Sequence, residues 1–163
     1  MANYRSPFSD LPDEHMRMVG IISAHWEYLD VTIQRALAEV MMHDFVRVAQ
    51  LTENIPFRAK MDLLMAYARP LQENMPKLWS EFTDISRQVF AAYGLRNKYV
   101  HARWKAGDTP DVPIRVVTRS SGGRFYIADE TTPIGQMEED AKTIFDIGQK
   151  LIAFFQAFGI MTT

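Results

Sequence analysis

The sequence predicts an all-α protein, an antiparallel bundle of about four helices with a β-hairpin inserted before the last of them. Three observations carry that class. Apolar residues recur at spacings of three or four along three long stretches and one shorter one. Prolines, glycines and polar runs separate those stretches. Two β-prone runs flank Ser120-Ser121-Gly122-Gly123 late in the chain. A helix with a single apolar stripe must bury it against another element, and several such helices joined by short connections pack side by side.

The elements follow in order. Beyond an irregular arm over residues 1–10, Ser9 or Asp10 is placed to cap a helix whose first turn holds Pro12 and acids. Its stripe runs through Val19, Ile22, Trp26, Leu29, Ile33, Leu37 and Met41, up to the polar pair His43-Asp44. "LTENIP" breaks the pattern, and Met61, Leu64, Met65 and Ala68 restart it in a shorter helix that Pro70 stops. Pro76 suits the first turn of a third helix, whose stripe passes through Leu78, Phe82, Ile85, Val89, Tyr93, Val100 and Trp104 toward Gly107, with Gly94 the point at which it can kink. The loop "GDTPDVP" leads to a hairpin over residues 112–130. Thr132-Pro133 opens a final helix with Ile134, Met137, Ala141, Ile144, Gly148, Leu151, Phe155 and Phe158 on one stripe. No repeat or linker divides the chain, so residues 1–163 read as a single domain.

Composition excludes several function classes. The chain has 18 Lys and Arg against 20 Asp and Glu, a formal charge of −2, so anion recognition has to be local. It has no cysteine, which removes disulfides, thiolate metal sites and cysteine nucleophiles. No stretch of about 18 apolar residues is present to span a bilayer, and the expected location is cytoplasmic, with no membrane partner. No metal or cofactor is expected. His25 and Glu27 are two residues apart and do not share a helix face. Gly122-Gly123 lacks the lysine and the following helix of a phosphate loop. His15 and His43 are expected at solvated helix edges.

Chemistry concentrates in "YGLRNKYVHARWK", where Arg96, Lys98, Arg103 and Lys105 surround His101 without an intervening acid. Arginine offers a planar fork of donors that matches phosphate oxygens, and histidine exchanges protons near neutrality. Asn97 can fix a histidine tautomer or hold a ligand oxygen. Lys98, Arg103 and Lys105 are read either as phosphate-steering side chains or as a solvated face. Trp104 is read as core or dimer interface, with base stacking the alternative. Metal-free RNA cleavage needs one group to take the 2′-hydroxyl proton and another to protonate the departing 5′-oxygen. One histidine does not serve both steps. On an ideal helix Arg96 and His101 also lie about 140° apart around the axis and about 7.5 Å along it. A two-fold dimer that brings two copies together answers both difficulties.

Arg96-Asn97, three residues and His101 form an Arg-polar-x-x-x-His motif, and "LRNKYVHARW" resembles that motif on its usual helix in HEPN domains. The resemblance implies an all-α bundle whose two motifs face each other in a homodimer. It implies a metal-independent endoribonuclease of toxin–antitoxin, phage-defence or RNA-processing type. Catalysis would fall to Arg96, Asn97 and His101, cleavage would leave a 2′,3′-cyclic phosphate, and an antitoxin or nucleotidyltransferase would be a protein partner. Other members are non-catalytic, which implies as the alternative a binding module for a nucleotide, RNA or partner protein. A third class is a purely structural dimerisation bundle, in which the cations are incidental.

Overall fold

Pro12 and the acids after it start the first helix, α1 (Asp13–Val40), and the Pro12 carbonyl accepts from the Met16 amide at 3.0 Å. The structure is a computed structural model that describes residues 11–109, 112–121, 124–157 and 159. The expected arm at 1–10, the Gly122-Gly123 turn and Phe158 lie outside the described residues. Helix α1 stops just short of His43-Asp44. Its last turn closes with the His43 amide on Ala38 O and the Met42 amide on Glu39 O, and Met42 takes the left-handed conformation at φ 54° that such an ending requires.

Asp44 does more than end a stripe. Its carboxylate accepts from the amides of Val46 and Arg47 and caps a helix not anticipated from the sequence, α2 (Phe45–Thr52). Helix α3 (Phe57–Ala68) and the single turn α4 (Leu71–Asn74) follow, and Pro76 opens α5 (Pro76–Val100), which continues through Gly94. Strands β1 (Arg103–Lys105), β2 (Ile114–Ser121) and β3 (Arg124–Thr131) come next, and α6 (Ile134–Ala157) closes the described chain.

The protein is therefore mostly helical, with a small antiparallel sheet before the last helix. The sheet corrects the sequence reading in one place. The third helix does not continue to Gly107, because α5 ends at Val100 and residues 103–105 pair with β2 as Arg103↔Val116, Trp104↔Arg115 and Lys105↔Ile114. Val100 and Trp104 are four residues apart, a spacing that satisfies a helical stripe and one face of a strand equally. The sheet order is β1-β2-β3, and β2 and β3 form the expected hairpin, in register from Ile114↔Thr131 to Ser121↔Arg124.

Two compact units divide the chain. The unit of His25–Tyr93 and Thr143–Thr163 has an apolar centre. Trp26, Phe57 and Tyr93 form an aromatic cluster, with Phe57 stacked on Tyr93 at 4.8 Å, and Phe82 stacks on Phe154 at 5.6 Å. Lys60, in the α3 stripe beside Met61 and Leu64, pairs with Asp30 at 2.6 Å. The unit of Met1–Ala24 and Gly94–Lys142 contains the sheet and the segment Arg96–Lys105. Among the described residues no helix is long and apolar enough to cross a membrane.

Candidate functional site

The last turn of α5 carries Arg96 and Asn97, and His101 sits in the turn just past the helix. Arg96 Nη1 donates to Asn97 Oδ1 at 3.0 Å and contacts His101 Nε2 at 2.5 Å. The pair thus meets within one chain, which corrects the expectation that it converges poorly. The expectation assumed a helix through residue 101, whereas the chain leaves the helix at Val100 and the long arginine stem covers the remaining distance. A guanidinium only donates, so the contact requires Nε2 to be the unprotonated nitrogen and places the imidazole proton on Nδ1.

Arg96 differs from its neighbours in what it touches. Among the described residues it has no carboxylate partner; its contacts are a neutral amide and an imidazole, and its Nε is buried without a hydrogen bond. Lys98 Nζ instead lies 3.0 Å from Asp140 Oδ2, and Lys105 Nζ lies 2.5 Å from Asp129 Oδ2. Arg103 is exposed, with no ion-pair partner among the described residues. The structure accordingly brings Arg96, Asn97 and His101 together, commits two of the three expected steering cations to acids, and leaves Arg103 open.

A polar network fixes the end of α5. Tyr99 is fully buried and donates through its hydroxyl to Asp140 Oδ2 at 2.5 Å, while Gln136 Nε2 donates to the other carboxylate oxygen at 3.1 Å. Burial, and then the Asp140 carboxylate beside it, push the Tyr99 hydroxyl well above the ordinary tyrosine range. Trp104 stacks nearly parallel to Tyr99, with an interplanar angle of 8°. Arg115 Nη1 donates to the Lys98 carbonyl at 3.3 Å, satisfying one of the acceptors that a helix end leaves open, and its other arm pairs with Glu130. Arg119 pairs with the second oxygen of Glu130, and that hydrogen bond, aided by Arg115, holds the Glu130 carboxyl below the usual range.

Sequence reasoning missed Tyr99, Asp140, Gln136 and Arg115. Asp140 had a visible signal, an acid inside the stripe of Met137, Ala141 and Ile144 that has to find donors when buried. His15 corrects another expectation. It is 2% exposed rather than at a solvated edge, with Nε2 at 3.0 Å from the Thr132 carbonyl. His25 lies 5.2 Å from the Phe145 ring, and among the described residues no group of three or more His, Cys, Asp or Glu side chains is placed to hold a metal ion. A groove of about 590 Å³ is lined by residues that include Lys77, Asp84, Gln88 and Lys150 and contains none of the motif side chains. In comparisons with known proteins, the chain matches no family model, no curated protein and no solved structure.

Proposed function

We propose that the chain is a HEPN-like helical bundle acting in the cytoplasm as a metal-independent endoribonuclease, with a composite site formed by two copies of Arg96, Asn97 and His101 in a homodimer. One observation carries the reading. The Arg96 guanidinium is held against Asn97 Oδ1 and His101 Nε2 with no acid among the described residues to cancel its charge, beside an exposed imidazole. Arg96 is half-buried with its Nε buried and unbonded, and a guanidinium in that setting without a carboxylate is available to an external anion.

The chemistry then follows from the contacts. A phosphate that draws the Arg96 fork to itself frees His101 Nε2, which takes the proton of the 2′-hydroxyl as the 2′-oxygen bonds to phosphorus. The phosphorus–5′-oxygen bond breaks, and the leaving oxygen receives a proton from the protonated His101 of the second copy. The products are a 2′,3′-cyclic phosphate and a 5′-hydroxyl, and one proton is taken and one returned. Asn97 holds Arg96 in place, and Arg103 guides the incoming strand; Lys98 and Lys105, already paired, contribute only to the field. The interface in this reading lies along residues 93–104, and the resemblance names an antitoxin or nucleotidyltransferase as the class of protein partner.

A second reading is a non-catalytic module that binds a nucleotide, RNA or protein through the same cluster. It is favoured by the resting contact itself, in which Arg96 occupies the nitrogen a base would use. A fluorescent RNA panel separates the two. The expected result is cleavage in EDTA that His101→Ala lowers by about 10²- to 10⁴-fold and Arg96→Ala by about 10²- to 10³-fold, with circular dichroism unchanged and light scattering reporting a dimer. A folded dimer that binds RNA and cuts none selects the second reading. A strict monomer at micromolar concentration removes the composite site.

A further inference from the structure

Beyond Arg103 and Lys105, the outward face of the sheet has no role in the reading above. Strand alternation and the observed register put Arg103 and Lys105 of β1, Thr118 and Ser120 of β2, and Phe125 and Ile127 of β3 on one face. The ion pair from Lys105 to Asp129, across the intervening β2, fits that assignment, and the buried Trp104 belongs to the opposite face. Phe125 is 81% exposed and Ile127 73%. Their cross-strand partners are Ser120 and Thr118, whose small hydroxyl side chains leave the ring and the aliphatic chain uncovered.

Charge says what covers this face. On this face the strands carry Arg103 and Lys105 against Asp129, a net charge of +1 in a chain whose total is −2, and because Lys105 is paired with Asp129 it is the Arg103 guanidinium that is open among the described residues. An exposed aromatic ring on the same face as an open arginine, bordered by hydroxyls, is the combination that accepts an unpaired base and a neighbouring phosphate. Bases stack on the ring irrespective of sequence, and cations track the backbone. Arg103 and Phe125 lie about 17 Å apart on the diagonal of the sheet, the reach of a few nucleotides.

We infer that this face of the β1–β3 sheet is a platform for single-stranded RNA, with a base stacked on Phe125, the Thr118 and Ser120 hydroxyls beside it, and Arg103 holding a phosphate on the path to His101. The identity of the polyanion rests on the ribonuclease reading; the existence of the platform does not. Because His101 follows α5 directly and Arg103 is two residues further on, RNA held at Arg103 is already beside the imidazole.

The test keeps the two readings apart. Fluorescence anisotropy with a 5′-labelled single-stranded oligouridylate of about 12 nucleotides measures the platform, and cleavage of a dinucleotide too short to reach Phe125 measures the site. The platform predicts that Phe125→Ala weakens oligouridylate binding about tenfold, that Phe125→Tyr restores it, and that dinucleotide cleavage is unchanged in both. Arg103→Ala should weaken binding at low salt and lower the slope of log affinity against log salt by about one. Phe125 is exposed, so its variants should fold as the wild type does. Wild-type affinity in Phe125→Ala, or no oligouridylate binding by the wild type, overturns the platform, and dinucleotide cleavage then reports independently on the site. A change in oligomeric state on Phe125→Ala without any change in RNA affinity also overturns it, by making the face a contact between copies.

Discussion

The two compact units are held together by different kinds of interaction. In the unit of His25–Tyr93 and Thr143–Thr163, aromatic and aliphatic side chains meet one another, with the largely buried Lys60–Asp30 ion pair among them. In the unit of Met1–Ala24 and Gly94–Lys142, Tyr99, Asp140, Lys98 and Gln136 form one polar cluster, and Arg115, Glu130 and Arg119 form another. Apolar packing fixes volume and tolerates sliding, whereas donors and acceptors fix the positions of particular atoms. A catalytic or binding cluster needs the second property, and Arg96 and His101 are in the unit that has it.

The comparison predicts its largest effect on the apolar side. Phe82 is fully buried against Phe154 and Phe155, next to an apolar cavity of about 110 Å³ that it helps to line. Truncating it enlarges a hole that water does not fill, so Phe82→Ala should cost about 3–5 kcal/mol in urea unfolding. A loss under about 1 kcal/mol would show that the aromatic centre does not carry that unit.

How much of this was legible in the sequence follows the same division. Long stripes gave the helices, because an apolar period near 3.6 has one cheap solution, and Pro12, Pro76 and Pro133 marked their starts. Strand β1 was not legible, since a four-residue step between Val100 and Trp104 fits both periods. The end of α5 was misplaced for the same reason, and with it the geometry of Arg96 and His101. Helix α2 was hidden because Asp44 both follows one helix and caps the next. Arg96, Asn97 and His101 were legible as a motif, but the network that fixes them was not, because Asp140 and Tyr99 are 41 residues apart and a single sequence carries no sign of their pairing.

A smaller effect should come from the polar side. Tyr99→Phe removes the hydroxyl but keeps the ring against Trp104, and Asp140 retains Lys98 and Gln136, so the expected cost is about 1–2 kcal/mol at neutral pH. The pH dependence is the sharper measurement. Tyr99 has its folded pKa raised, so it resists losing its proton in the fold while the unfolded chain releases it near the ordinary value of about 10. Stability is therefore fully present below that value and falls above it, by up to about 1.4 kcal/mol per pH unit. Chemical denaturation from pH 9 to 11 should show that extra slope in the wild type and not in Tyr99→Phe. Equal slopes would mean that the hydroxyl is solvated and the cluster does not order the end of α5.

The smallest effect should come from Glu130. Its side chain is 27% exposed, and it pairs with Arg115, 13% exposed, and with the open Arg119. Pairs on a wet surface contribute little, so Glu130→Gln should cost under about 1 kcal/mol at pH 7. The sign with pH is opposite to that of Tyr99. A carboxyl whose folded pKa is depressed stabilises the fold above its ordinary value of about 4.3 and loses that contribution as pH falls through the lower, folded value. The wild type should therefore lose stability relative to Glu130→Gln below about pH 4.3, a difference readable from paired urea titrations. What the pair fixes is the direction of Arg115, whose other arm holds the Lys98 carbonyl at the end of α5. On the proposed ribonuclease reading, RNA turnover should then fall more in Glu130→Gln than its stability does, because a small shift in Arg115 moves the helix end from which the chain turns to His101. A variant that loses stability and activity in proportion would show that this ion pair supports the sheet alone.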